Sequence, residues 1–192
     1  MGTLPRSFYQ RDAARVARSL LGALLVRRTK RGHLVGRIVE AEAYFGSEDP
    51  ASRAYRGRKR YNEVMWGRPG ISFVYMVHAN WLLNVITGVE GVPAGVLIRA
   101  VEPVGGIELM QRNRGATRLK DLTSGPGKLT QAFGISKAHH DLDLTNPRSE
   151  VFVAQGTTVP DEAVGRSHRV GVKKDLPAPL RFFVRDNDSV SK

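Results

Sequence analysis

The sequence contains no cysteine and no long apolar run, and both absences narrow what the chain can do. Without thiols there is no disulfide, no thiolate zinc site and no cysteine nucleophile, which fits a cytosolic protein. No stretch approaches the roughly 20 apolar residues of a membrane span, and the opening MGTLPRSFYQRDAARVARSL has no uninterrupted apolar h-region. We therefore expect a soluble, cytoplasmic protein. Acidic residues are also scarce. Eighteen Asp and Glu stand against 30 Lys and Arg, a net charge of +12. Such a balance argues for a polyanionic partner, nucleic acid before membrane, because no basic amphipathic anchor helix is visible. Charge alone would suit a ribosomal protein equally well. The remaining composition, 41% hydrophobic and 25% charged over 192 residues, predicts one folded domain spanning 1–192.

No internal repeat, low-complexity tract or Pro/Gly/Ser-rich linker divides the chain. Asp12 to Leu21 reads as a helix, with Ala13, Val16, Ala17, Leu20 and Leu21 on one apolar stripe and Gly22 as its stop. Strands are expected at Leu24 to Arg27 and His33 to Tyr44, joined by a turn at Lys30-Arg31-Gly32. Ile71 to Val77 and Leu82 to Thr87 read as a β-hairpin around His78, Ala79 and Asn80. A strand at Val96 to Val101 precedes a helix after Pro103, and another helix runs from Pro126 to Phe133. Short strands near Val151, His168 to Val172 and Leu180 to Arg185 complete a mixed α/β domain.

The sharpest chemical signal is Arg37-Ile38-Val39-Glu40-Ala41-Glu42-Ala43-Tyr44. Strict alternation puts Ile38, Glu40, Glu42 and Tyr44 on one face, two carboxylates beside a phenol able to stack on a planar ligand. The plainer alternative is an exposed face of solvated glutamates. Arg99 sits in GVLIRAV, where its neighbours read as core, so it needs a carboxylate or a ligand, and Glu40 and Glu42 are the natural candidates. The run from Arg53 to Tyr61 mixes five positive charges, Arg58 and Lys59 among them, with aromatics. That suits phosphate contact and stacking, or a merely solvated loop. Ser124-Gly125-Pro126-Gly127-Lys128 leads into a helix whose N–H groups, with Lys128, can grip a phosphate. It lacks Walker A spacing, and a turn at a helix start reads equally well. His139-His140-Asp141 is discounted as a metal site, since adjacent loop residues rarely chelate together.

In order along nearly the whole chain, RIVEAEAYFG (37–46), DPAS…YRGR (49–58), NEVMWGRPG (62–70), FVYMVHANWLLNV (73–85), VLIRAVEP (96–103), LTSGPGKLTQAFGI (122–135) and RVGV (169–172) resemble the alkyladenine, or 3-methyladenine, DNA glycosylase family. The resemblance implies an α/β (α+β) domain on a curved antiparallel sheet, with flanking helices and a protruding β-hairpin. It implies no metal or organic cofactor, and a monomer acting on double-stranded DNA that contains damaged purines, nucleoid-associated in a prokaryote. Glu42 falls on the general base that activates water, with Arg99 and the Val190 carbonyl helping to hold that water. Tyr44 and Tyr75 match aromatics that sandwich the extruded base. Asn84 matches a side chain that obstructs the amino group of normal guanine. The tip at His78, Ala79 and Asn80 matches a wedge that enters the minor groove.

Two departures stand out. Arg53 replaces a histidine that commonly contacts the base edge. An arginine is longer, always charged and cannot accept a hydrogen bond, which favours acceptor-bearing bases such as hypoxanthine or repels cationic methylpurines. The hairpin tip is one residue shorter, with His78 where a tyrosine often sits. Two rivals to the glycosylase reading remain at this stage. One is a metal-dependent nuclease using Glu40, Glu42, Glu48 and Asp49; the other is a non-catalytic basic protein that binds nucleic acid.

Overall fold

The longer of the first two helices combines helix-favouring Ala, Arg and Leu with one buried stripe. In the computed structural model, which describes residues 2–191, α1 (Arg6–Tyr9) and α2 (Ala13–Leu20) precede the first strand. Asp12 caps α2, its carboxylate accepting from the N–H groups of Ala14 and Arg15 at 2.9 and 3.2 Å. Ala13, Val16, Ala17 and Leu20 are buried, whereas Arg15 lies in solvent. The chain turns at Gly22, whose φ of 87° and approach to the Thr157 carbonyl leave no room for a Cβ.

Eight strands form a single antiparallel sheet: β1 (Leu24–Thr29), β2 (Gly32–Tyr44), β3 (Ser72–Val77), β4 (Asn80–Ile86), β5 (Gly95–Gly105), β6 (Val151–Ala154), β7 (Val164–Ser167) and β8 (Arg181–Val184). The order β3-β4-β5-β2-β1-β6 runs across it. Strand β2 is long enough to hold two neighbours on one edge, β1 along its first half and β8 opposite Glu40 to Glu42, while β5 takes the other edge. Helices α3 (Ile107–Arg114), α4 (Leu119–Leu122) and α5 (Pro126–Phe133) flank the sheet. Leu109, Met110, Leu122, Leu129, Ala132 and Phe133 join Leu25, Leu34, Ile38, Ile98 and Val101 in one apolar core. Each of these side chains larger than alanine contributes roughly 1.5–3 kcal/mol by burial. The result is a compact α+β domain with a curled sheet, as the resemblance implied.

Three expectations need correction. The strand expected at His168 to Val172 instead lies at Val164–Ser167, and residues 168–172 form a loop that the site recruits. The strand expected to end at Val101 continues through Pro103 to Gly105. The third concerns alternation in β2. Ile38 packs in the core with Ala41 and Ala43, so it does not share a face with Glu40 and Glu42. The pairing explains why. Ile38 faces Val101, Glu40 faces Ala100 and Ala41 faces Ile98, which leaves Val39 and then Arg99 as extra residues on their strands. Paired bulges bend both strands at one place and change which residues face the core.

Candidate active site

Glu40 and Glu42 are both fully buried, which excludes the solvated-face reading. Arg99, itself buried, sits between them. Its Nε donates to Glu40 Oε1 at 2.8 Å and its Nη1 to Glu42 Oε2 at 3.3 Å. The two carboxylates then part company. Glu40 Oε1 also accepts from Arg181 Nε at 2.7 Å and from Ser191 Oγ at 2.8 Å, while Oε2 accepts the Ser191 N–H at 2.8 Å. Glu40 thus accepts four hydrogen bonds, three on Oε1 and one on Oε2. Burial alone would raise its pKa. Arg99, the Ser191 N–H and Arg181 outweigh that and hold Glu40 below the ordinary carboxylate range.

Glu42 accepts three hydrogen bonds. The Tyr44 hydroxyl donates to Oε2 at 2.8 Å beside Arg99, and the Val170 N–H donates to Oε1 at 2.8 Å. One position on Oε1 is therefore left for another donor. Burial lifts the Glu42 carboxyl above the ordinary range, with the charge of Glu40 adding to the effect and Arg99, Val170 and Tyr44 opposing it. A buried carboxylate with a raised pKa and a spare acceptor position has the properties of a general base.

Glu42 lies just beneath the floor of an open cleft of about 1230 Å³, whose lining includes all three groups it bonds, Tyr44, Arg99 and Val170. Beside the cleft is a narrow pocket lined by Tyr44, Arg53, Met65, Phe73, Tyr75 and Asn84. Tyr75 stacks on Phe73, with ring centroids 4.8 Å apart. Asn84 is buried and donates from Nδ2 to the Phe73 carbonyl at 3.2 Å. The structure thus brings Glu42, Arg99, Tyr44, Arg53, Tyr75 and Asn84 to one place. Arg56, Lys59, Lys128, Lys173 and Lys174 line the cleft as well, giving it a basic wall. Arg58 is instead turned onto the Trp66 ring, at 6.0 Å.

The hairpin tip is a two-residue turn, since Asn80 already belongs to β4. His78 and Ala79 both have positive φ, 44° and 61°, the twist that closes a tight hairpin. The tip is exposed, and His78 and Asn80 border the cleft. Asn80 holds its shape by donating from Nδ2 to the His78 carbonyl at 2.9 Å and packs against Gly127 at the start of α5. Thr130 Oγ1 donates to the Trp81 carbonyl at 2.7 Å, a second tie between α5 and the hairpin. Lys128 Nζ reaches Ser124 Oγ at 3.2 Å, which shapes the turn before α5.

Some site residues carry no role in the sequence reading. Arg169 is buried and donates to both carboxylate oxygens of Asp49, at 2.6 and 2.8 Å, to Asp175 at 2.8 Å and to the Ala43 carbonyl at 3.0 Å. Its guanidinium lies 4.5 Å from the Tyr44 ring centroid. Arg169 and Val170 are thus adjacent residues that hold the Tyr44 ring and the Glu42 carboxylate. Ser191, next to the half-buried Val190, anchors Glu40 and accepts from Arg99 Nη2 at 3.1 Å. The partners lie about 120 residues away for Arg169 and 151 for Ser191, so no local pattern announces them. The geometry also removes the nuclease reading. Asp49 is committed to Arg169 and Glu40 to Arg99 and Arg181, and among the described residues no cluster of His, Asp or Glu is arranged to hold a metal ion.

Comparison with known proteins agrees with this arrangement. Residues 7–188 match the family model of methylpurine-DNA glycosylase. A protein of Carboxydothermus hydrogenoformans, provisionally named a 3-methyladenine DNA glycosylase, is 42% identical over 190 residues, 98% of each chain. Proteins with the same provisional name from Salinibacter ruber and Methanoculleus marisnigri are each 43% identical; the match covers 100% and 99% of this chain and 97% and 99% of theirs. With the match spanning almost every residue and the buried carboxylate set beside an aromatic pocket in a basic cleft, the chain belongs to the methylpurine-DNA glycosylase family.

Proposed function

We propose that this enzyme extrudes a damaged purine from duplex DNA and hydrolyses its N-glycosidic bond with a water activated by Glu42. The observation that carries the reading is the buried Glu42 carboxylate, raised in pKa and with one acceptor position spare, beside the pocket of Tyr44, Tyr75 and Asn84. Lys59, Lys128 and the further lysines of the cleft take the phosphates, and the tip at His78 and Ala79 fills the gap in the stack. Extrusion costs a few kcal/mol, least for a damaged or mispaired base. The base stacks between Tyr44 and Tyr75, and Asn84 obstructs the amino group of normal guanine.

As the bond from C1′ to nitrogen breaks, the electron pair leaves with the base and the sugar becomes an oxocarbenium-like cation. The negative Glu42 stabilises that cation and takes a proton from the water that adds to C1′, with Arg99 and the Val190 carbonyl holding the water. The products are a free base and an abasic site. No lysine serves as nucleophile, so the strand stays intact. The substrates are purines of the 3-methyladenine, hypoxanthine and ethenoadenine type, and the enzyme works as a monomer on the chromosome, in the cytoplasm. Single-turnover base release from duplexes carrying one such lesion, in excess chelator, tests the reading. Release by the wild type and loss of release in Glu42→Gln is the expected outcome. Retention of release by Glu42→Gln would remove Glu42 from the role.

A further inference from the structure

Of the guanidinium groups around Glu42 and the narrow pocket, three have carboxylate partners. Arg99 pairs with Glu40 and Glu42, Arg181 with Glu40, and Arg169 with Asp49 and Asp175. For Arg53 no ion pair is formed among the described residues. Its guanidinium instead lies 4.7 Å from the centroid of the Tyr75 ring, at the edge of the pocket, while Arg169 lies against Tyr44. Each tyrosine of the pocket therefore already carries a cation on its π-system. Arg53 is the charged residue in the lining of the narrow pocket, and it has no carboxylate partner among the described residues.

We propose that Arg53 is a specificity-determining residue that favours neutral damaged purines over cationic ones, a role that rests on the glycosylase reading above. The reasoning follows the charge of the leaving base. A neutral purine such as hypoxanthine takes the bonding electron pair and gains negative charge as it departs. Arg53, with five N–H donors and a fixed positive charge, stabilises that developing charge in the transition state more than in the bound substrate. A purine methylated at N7 enters the pocket as a cation and leaves neutral. It meets repulsion from Arg53 on entry. It also gains less cation–π attraction from tyrosines that already carry guanidinium groups.

The test compares single-turnover release of hypoxanthine and of 7-methylguanine from otherwise identical duplexes by wild type, Arg53→Gln and Arg53→Lys. In Arg53→Gln the ratio of the hypoxanthine rate to the 7-methylguanine rate falls by about tenfold or more, and Arg53→Lys keeps most of the wild-type ratio. Arg53 is solvent-exposed and outside the core, so both variants fold. An equal loss on both lesions, or an unchanged ratio in Arg53→Gln, overturns the role and leaves the glycosylase reading standing. Release of neither base by the wild type defeats the glycosylase reading, and the Arg53 role falls with it.

Discussion

Glu40 and Glu42 lie two residues apart on one strand, are equally buried and share one arginine, yet the fold treats them differently. Glu40 is surrounded by two guanidiniums and two groups of Ser191, and its charge is locked in place. Glu42 has half of Arg99, one hydroxyl and one backbone N–H, and its charge is held at a cost. Burial of a carboxylate is therefore not itself a sign of chemistry. Under the proposed function the count of donors distinguishes an anchor from a base, and it assigns Glu40, a candidate for the base on sequence alone, to the anchor's part.

The comparison can be broken most sharply through rate. Glu42→Gln should lower single-turnover base release about a thousandfold, the scale of general-base catalysis, while duplex binding in a gel-shift titration stays near wild type. Glu40→Gln should act on stability instead. It leaves Arg99 and Arg181 short of a buried counter-charge, a loss of about 3 to 5 kcal/mol readable in urea unfolding. If Glu40→Gln proved as stable as wild type and as inactive as Glu42→Gln, the assignments would be reversed.

Acidity separates the pair next. Glu42, with its raised pKa, must be ionised to act, so release falls as pH drops through a value above the ordinary carboxylate range, by about tenfold per unit below it. Glu40 has a depressed folded pKa, so its contribution to stability is complete above its unfolded value, about 4.3, and is lost only as pH falls through the lower folded value. Reversible loss of activity should therefore precede acid unfolding, followed by circular dichroism across the same titration. Simultaneous loss of both would contradict the division of labour. The smallest effect belongs to the edge of the cleft. In Gly127→Ala the new methyl group meets Asn80 at 2.8 Å and displaces the hairpin tip, and duplex affinity should weaken by about threefold, roughly 0.6 kcal/mol, in fluorescence anisotropy.

Much of the fold was legible because its signals are local. Asp12 and Gly22 bracket α2, Pro126 and Gly134 bracket α5, and the apolar runs on either side of His78 define the hairpin. The resemblance brought together Glu42, Arg99, Tyr44, Tyr75 and Asn84; in the structure Tyr44, Tyr75 and Arg99 line the cleft, Asn84 lines the adjoining pocket, and Glu42 is bonded to Tyr44 and Arg99 behind that lining. What escaped depends on distance. Arg169 is one of 30 basic residues until Asp49, far away in the chain, folds against it. Ser191 gains meaning only when the last strand brings the chain back over Glu40. Ile38 was misassigned for a different reason: a period of two holds only where no residue is added to the strand.

That added residue has a consequence for how the gene can vary. Val39 and Arg99 act as a matched pair of insertions, each cancelling the other's shift, so the rungs before and after them stay in step. Delete Val39 alone and every side chain on one side of the deletion trades inside for outside, which would carry the carboxylates of β2 toward the core; delete Arg99 alone and the same exchange falls on β5, with the partner of both carboxylates lost. A change of chain length there requires its counterpart sixty positions away, and the two positions should lose or keep their extra residue together.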